Sequence, residues 1–136
     1  MNYSTLIIAK NQNINKEIQN NLREDNIERL IPVAKERFSN MQNIFGLLIH
    51  TQAMRPRFYE GDIAIIERTK EVKTGDIIMV TIGKENACIR ELVTTTDGWV
   101  LNPFTPMTPP TFYSWEEIES KNIRLIGKVI ESIVKF

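Results

Sequence analysis

The stretch "EGDIAIIERTKEVKTGDIIMVTI", Glu60 to Ile82, decides how the chain is read. A Gly-Asp pair occurs twice, at Gly61-Asp62 and Gly75-Asp76, and each is followed at once by a short run rich in isoleucine and valine. Glycine with aspartate marks a tight turn, and a β-branched run of this length reads as a strand. The same alternation extends outward. "FGLLIHT" precedes it, and "ACIRELVTT", "GWVLN" and "IRLIGKVIESIVKF" follow. Residues 43–136 therefore read as one mainly β, antiparallel β-rich domain. The proline-rich "NPFTPMTPPTFYSW" can donate few ladder hydrogen bonds, so it reads as a loop over the sheet, with an edge strand near Thr111 to Tyr113. That loop is either a cover or, through exposed Phe104, Phe112, Tyr113 and Trp115, a contact surface.

Residues 1–42 have a different character. "NINKEIQNNLREDNIERL" places Ile14, Ile18 and Leu22 at four-residue spacing, continued by Ile27 and Leu30, with Asn13 able to cap the start. This predicts an N-terminal helical arm ending at Pro32, because the residue before a proline is driven out of helical geometry. Its apolar face packs on its own domain, on a second copy, or on a partner protein.

Composition narrows the function classes. The 42% hydrophobic and 25% charged content of the 136 residues is ordinary for one globular domain. The 17 basic residues balance the 17 acidic ones, which removes any broad field for gathering nucleic acid or anionic membrane. Cys88 is the single cysteine and His50 the single histidine, so neither a disulfide nor a metal cluster is expected, and no cofactor is implied. No apolar run approaches the roughly 20 residues of a membrane span, and no leader pattern opens the chain. The expected location is the cytoplasm.

Six elements recur in a telling order: Ala53-Met54-Arg55-Pro56, Gly61-Asp62-Ile63, Gly75-Asp76-Ile77, Cys88-Ile89-Arg90-Glu91-Leu92, Leu101-Asn102-Pro103-Phe104-Thr105-Pro106 and Ile126-Gly127-Lys128-Val129. From about residue 43 onward the chain thereby resembles the LexA and UmuD family of self-cleaving regulators, which includes the C-terminal domains of phage repressors. The resemblance implies a serine-lysine dyad. A lysine kept neutral by burial removes the serine proton, and backbone N–H groups hold the oxyanion.

This chain departs from that pattern at both positions. Ala53 stands at the serine position and has no oxygen with which to attack. Arg90 stands at the lysine position, and a guanidinium is not deprotonated near neutral pH. The family cuts a small residue followed by glycine, yet the only glycine ahead of Ala53 is Gly46, preceded by Phe45. No catalytic residue is assigned; Ala53 and Arg90 are degenerate dyad positions. Alternation would place Thr51 beside Ala53 and Cys88 beside Arg90, with Met54 following and His50 pointing away. A hydroxyl and a thiol near the old site could serve a rearranged peptidase, but a small cysteine in an apolar strand is more often packing. Arg90 is expected to pair with a carboxylate such as Glu60, Asp62 or Glu91; a bound anion or a partner's carboxylate is the alternative.

Without the chemistry, the family's second job remains. Its members associate in pairs, and the run ending the chain would be adhesive if left as an open edge, so Ile130, Ile133, Val134 and Phe136 are candidates for a homodimer interface. The other possibility is that this strand is internal to the sheet. One helix ahead of the β-domain is too little for a helix-turn-helix head, so DNA is reached only through a separate domain. The chain is then either the C-terminal part of a larger phage-type or SOS-type transcriptional regulator, or a small stand-alone protein binding a DNA polymerase or another regulator, as UmuD does. The competing class is a weak self-cleaving peptidase, natural or inactivated by engineering at Ala53.

Overall fold

The structure, a computed structural model, describes residues 3–9, 27–38, 41–49, 54–84, 87–106 and 108–134. The described residues form a single nine-stranded sheet, and the mainly β expectation holds. The strands are β1 (Tyr3–Ala9), β2 (Ile27–Ala34), β3 (Ile44–Leu48), β4 (Ile63–Arg68), β5 (Ile77–Ile82), β6 (Cys88–Thr94), β7 (Gly98–Asn102), β8 (Thr111–Ser114) and β9 (Ile123–Ile133). One short helix, α1 (Trp115–Ser120), joins the last two. Their order across the sheet is β2-β1-β3-β4-β9-β5-β6-β7-β8. β1 runs parallel to β3, and the other neighbouring pairs are antiparallel.

The two Gly-Asp turns are the same device used twice. Gly61 (φ 95°) and Gly75 (φ 97°) take the left-handed backbone that glycine adopts without a Cβ penalty. Each following aspartate reaches back three residues: Asp62 accepts from the Tyr59 N–H and Asp76 from the Lys73 N–H, both at 2.9 Å. The turns then anchor to neighbouring strands. Gly61 N–H donates to the Ile49 carbonyl and Ile49 N–H to the Asp62 carbonyl, while Gly75 N–H donates to the Leu92 carbonyl and Leu92 N–H to the Asp76 carbonyl. This fixes where β4 and β5 start, and hence which of their residues face which side.

Strand alternation then divides the core. Phe45, Leu47, Ala64, Ile66, Met79 and Ile89 share one face. Their neighbours in sequence turn the other way. Ile44, Leu48, Ile63 and Ile65 pack with Leu6, Ile8 and Val33, and Ile78, Val80 and Leu92 pack with Leu101 and Ile123. β3 is buried at every position, since both its faces are covered.

Two expectations are corrected. The helix predicted from Asn13 to Leu30 does not extend over Ile27 to Leu30, which open β2. Pro32 does not end a helix; it sits inside β2, opposite Thr5, at the sheet's outer edge, where a missing N–H costs no ladder bond on the open side. Asn13 and the face formed by Ile14, Ile18 and Leu22 lie outside the described residues. The segment after the prolines is not all loop. β8 occupies the expected edge, and Ser114 caps α1 in a reciprocal box with Glu117, each side chain bonded to the other's backbone N–H at 3.1 Å.

β9 is not an edge strand along its whole length. It pairs with β5 from Ile123 to Lys128 and with β4 from Gly127 to Ile133. Its two halves are thus each paired on one side, and they overlap at Gly127-Lys128. β4 and β9 pass close together at Gly127: a Cβ built there would collide with the Glu67 carbonyl oxygen. Among the described residues, no helix is long and apolar enough to cross a membrane.

Candidate functional site

The turn after Ala53 is pinned from below. Met54 and Phe58 are 4% and 0% exposed and pack with Ala87 and Ile89 of β6 and its approach. Phe58 N–H donates to the Met54 carbonyl at 2.9 Å, closing a turn that carries the cis Arg55–Pro56 peptide. Arg55 and Arg57 lie outside, their guanidinium carbons 5.0 Å and 4.8 Å from the ring centres of Tyr59 and Phe58. Phe104, from the proline-rich loop, meets Phe58 edge-on at 5.8 Å. The loop is therefore seated on this turn through Phe104, while Phe112 and Trp115 are 47% and 48% exposed. His50, Thr51 and Ala53 lie outside the described residues.

Arg90 is half-buried on β6. Ile89, its neighbour, faces Met54, so alternation turns Arg90 to the opposite face with Cys88 and Leu92. There Arg90 and Cys88 together line a cavity of ≈ 230 Å³ with Leu101, Thr108, Thr111 and Tyr113. The Arg90 guanidinium donates from Nη1 to the Ile89 carbonyl at 2.7 Å.

Among the described residues, no ion pair joins Arg90 to Glu60, Asp62 or Glu91. Among the described residues the salt bridges are Arg37 to Glu131 and Lys121 to Glu117. Glu91 is adjacent in an extended strand and so points away from Arg90, Glu60 is exposed in the turn, and the Asp62 carboxylate takes the Tyr59 N–H. Among the described residues no cluster of three or more metal-ligating side chains occurs.

The Gly-Asp turns, the turn at Met54–Phe58 and Arg90 on β6 all fall within the span that a known family's model matches. The Peptidase S24-like family model fits residues 7–130. The chain belongs to the Peptidase S24-like family. Its resemblance to LexA, UmuD and phage-repressor domains is thereby placed on more than motifs, and the match starts within β1, ahead of the Gly-Asp turns. No curated protein sequence matches the chain.

Within this Peptidase S24-like domain the candidate dimer residues are spread along the end of β9. Ile130 and Val134 are 40% and 55% exposed, whereas Ile133 is half-buried against the Leu6 and Ile65 side of the core. Phe136 lies outside the described residues. Sequence reasoning assigned no role to Arg68, Lys70 and Arg124, which line a second and larger cavity. The signal was the run Arg68-Thr69-Lys70, which follows the first Gly-Asp strand run.

Proposed function

We propose that this Peptidase S24-like chain is a non-cleaving assembly and partner-binding module of a transcriptional regulator, of phage-repressor or SOS type. The observation that carries the reading is Arg90. Arg90, at the sequence position that the resemblance gives to the family's lysine, is a half-buried guanidinium whose Nη1 donates to the Ile89 carbonyl. A guanidinium is not deprotonated near neutral pH, so it cannot accept a proton from a nucleophile there. Ala53, at the serine position, has only a methyl group.

What remains useful is adhesion. The second half of β9 has one ladder edge without a strand partner among the described residues, and Ile130 and Val134 stand exposed along it. An exposed edge of this kind is covered economically by a second copy about a two-fold axis. The homodimer in turn gathers a partner regulator or DNA-binding domains.

The test is restoration. Ala53→Ser and Arg90→Lys, singly and together, are offered a peptide containing an Ala-Gly bond at alkaline pH. Hydrolysis gained only by the double variant supports the reading. Equal hydrolysis by the unaltered chain overturns it.

A further inference from the structure

Arg90 is a half-buried cation whose Nη1 donates to the Ile89 carbonyl, and among the described residues no carboxylate pairs with it. A charge drawn partly out of water is ordinarily paired. The side chain lines the cavity of ≈ 230 Å³ that β6 and β7 form with the proline-rich segment.

Three properties of this cavity select a ligand. Arg90 is the one charged residue among the described residues that line it. Ile82, Leu101, Pro103 and Pro109 give it an apolar wall, and Thr111 adds an exposed hydroxyl. Its volume lies below the about 300–1,000 Å³ of sites that enclose a drug-sized molecule, so the occupant is a small molecule or one group of a larger chain.

From these we infer that the cavity is a carboxylate-binding site, in which Arg90 takes a single carboxylate carried on a short apolar stem. With Nη1 held by Ile89 the guanidinium is oriented before any ligand arrives. Its Nε and Nη2 N–H groups have no acceptor among the described residues, and that planar fork matches the two oxygens of a carboxylate. The stem then lies against the apolar wall.

A phosphate monoester fits less well. It carries a charge of about −1.5 to −2 at pH 7, and one guanidinium offsets only one unit of it. The assignment goes beyond the non-cleaving reading and does not rest on it, since a cavity that takes no acid would still hold a guanidinium unable to act as a base.

The experiment titrates the whole protein with butyrate and, in parallel, with butyramide, its neutral counterpart. The Arg90 Nε–H and the amides of Leu101 and Thr111 are followed by NMR. Butyrate should saturate these shifts, and butyramide should bind at least about tenfold more weakly, because it lacks the charge that strengthens each hydrogen bond. Arg90→Gln should lose at least about tenfold in affinity, and Arg90→Lys less, since lysine keeps a point charge without the fork. If Arg90→Gln does not fold, the comparison of butyrate with butyramide on the unaltered chain still decides.

Two acetylated apolar tetrapeptides separate the sources of the carboxylate. One has a free C-terminus; the other is amidated and carries one glutamate. Binding tighter than butyrate by the first assigns a chain end, by the second an acidic side chain, and by neither a free small acid. The inference is overturned by equal binding of butyramide, by tighter binding of inorganic phosphate, or by unchanged affinity in Arg90→Gln. Shifts that do not saturate, or that lie away from the cavity, overturn it too.

Discussion

Phe58 and Phe104 offer a quantitative test of how the proline-rich loop is held over the site. Phe58 is 0% exposed, so its truncation to alanine should cost about 3–5 kcal/mol through lost burial and the cavity left behind. Set against a total stability of about 5–15 kcal/mol, that loss is too large for clean comparison. Leucine at each position keeps the apolar character and removes only the ring. The rings meet edge-on at 5.8 Å and 80°, a geometry whose coupling runs about 0.5–1.5 kcal/mol beyond area burial. Urea denaturation of the unaltered chain, Phe58→Leu, Phe104→Leu and the pair closes a double-mutant cycle. Phe58→Leu should be the costlier single change, because Phe104 is only half-buried. The pair should lose less than the sum of the two singles by that coupling. Additivity within about 0.3 kcal/mol would mean the rings do not touch in solution, and the loop would not be seated on the turn.

Gly127→Ala should destabilise by at least about 1–3 kcal/mol, because the new methyl would meet the Glu67 backbone carbonyl rather than a movable side chain; a midpoint shift worth under about 0.5 kcal/mol would contradict the close passage of β4 and β9. Glu117 is held below the usual carboxylate range, chiefly by the Ser114 backbone N–H. A depressed carboxylate stabilises above its unfolded value and loses that contribution as pH falls through its folded one, so the Ser114 amide resonance should titrate below the ordinary glutamate range and stop doing so in Glu117→Gln. Ile130→Lys with Val134→Glu should convert a dimer to a monomer in sedimentation while leaving the monomer folded, since both side chains are exposed; an unchanged mass would remove this end of β9 from the interface.

Much of the fold was legible because glycine and aspartate carry their own mechanism. Gly61-Asp62 and Gly75-Asp76 fix turn geometry locally, so β4 and β5 begin where the sequence says they should. β2 was hidden for a physical reason. Ile27 and Leu30 fall at a spacing that extends the apolar stripe of Ile14, Ile18 and Leu22, and Leu30 is 59% exposed in an edge strand without strict alternation. Pro32 looked like a helix terminator but is one of the few residues an edge tolerates.

The helix α1 had a local signal, Ser114 followed three residues later by Glu117, yet six residues are too few for periodicity to show. The sequence singled out Arg90 as a degenerate dyad position but left its surroundings open. Counting nearby acids says nothing about facing, and alternation turned Arg90 away from Glu91 and into the cavity beside Cys88. The position of β9 between β4 and β5 was likewise a long-range matter of pairing that no local pattern encodes.

The most direct measurement is the intact mass of the unaltered protein after prolonged incubation at about pH 10, where an ordinary lysine amine begins to lose its proton, with and without a RecA filament. A methyl at position 53 and a permanent cation at position 90 predict one species at 15.8 kDa under every condition. Two complementary fragments summing to that mass would contradict the account.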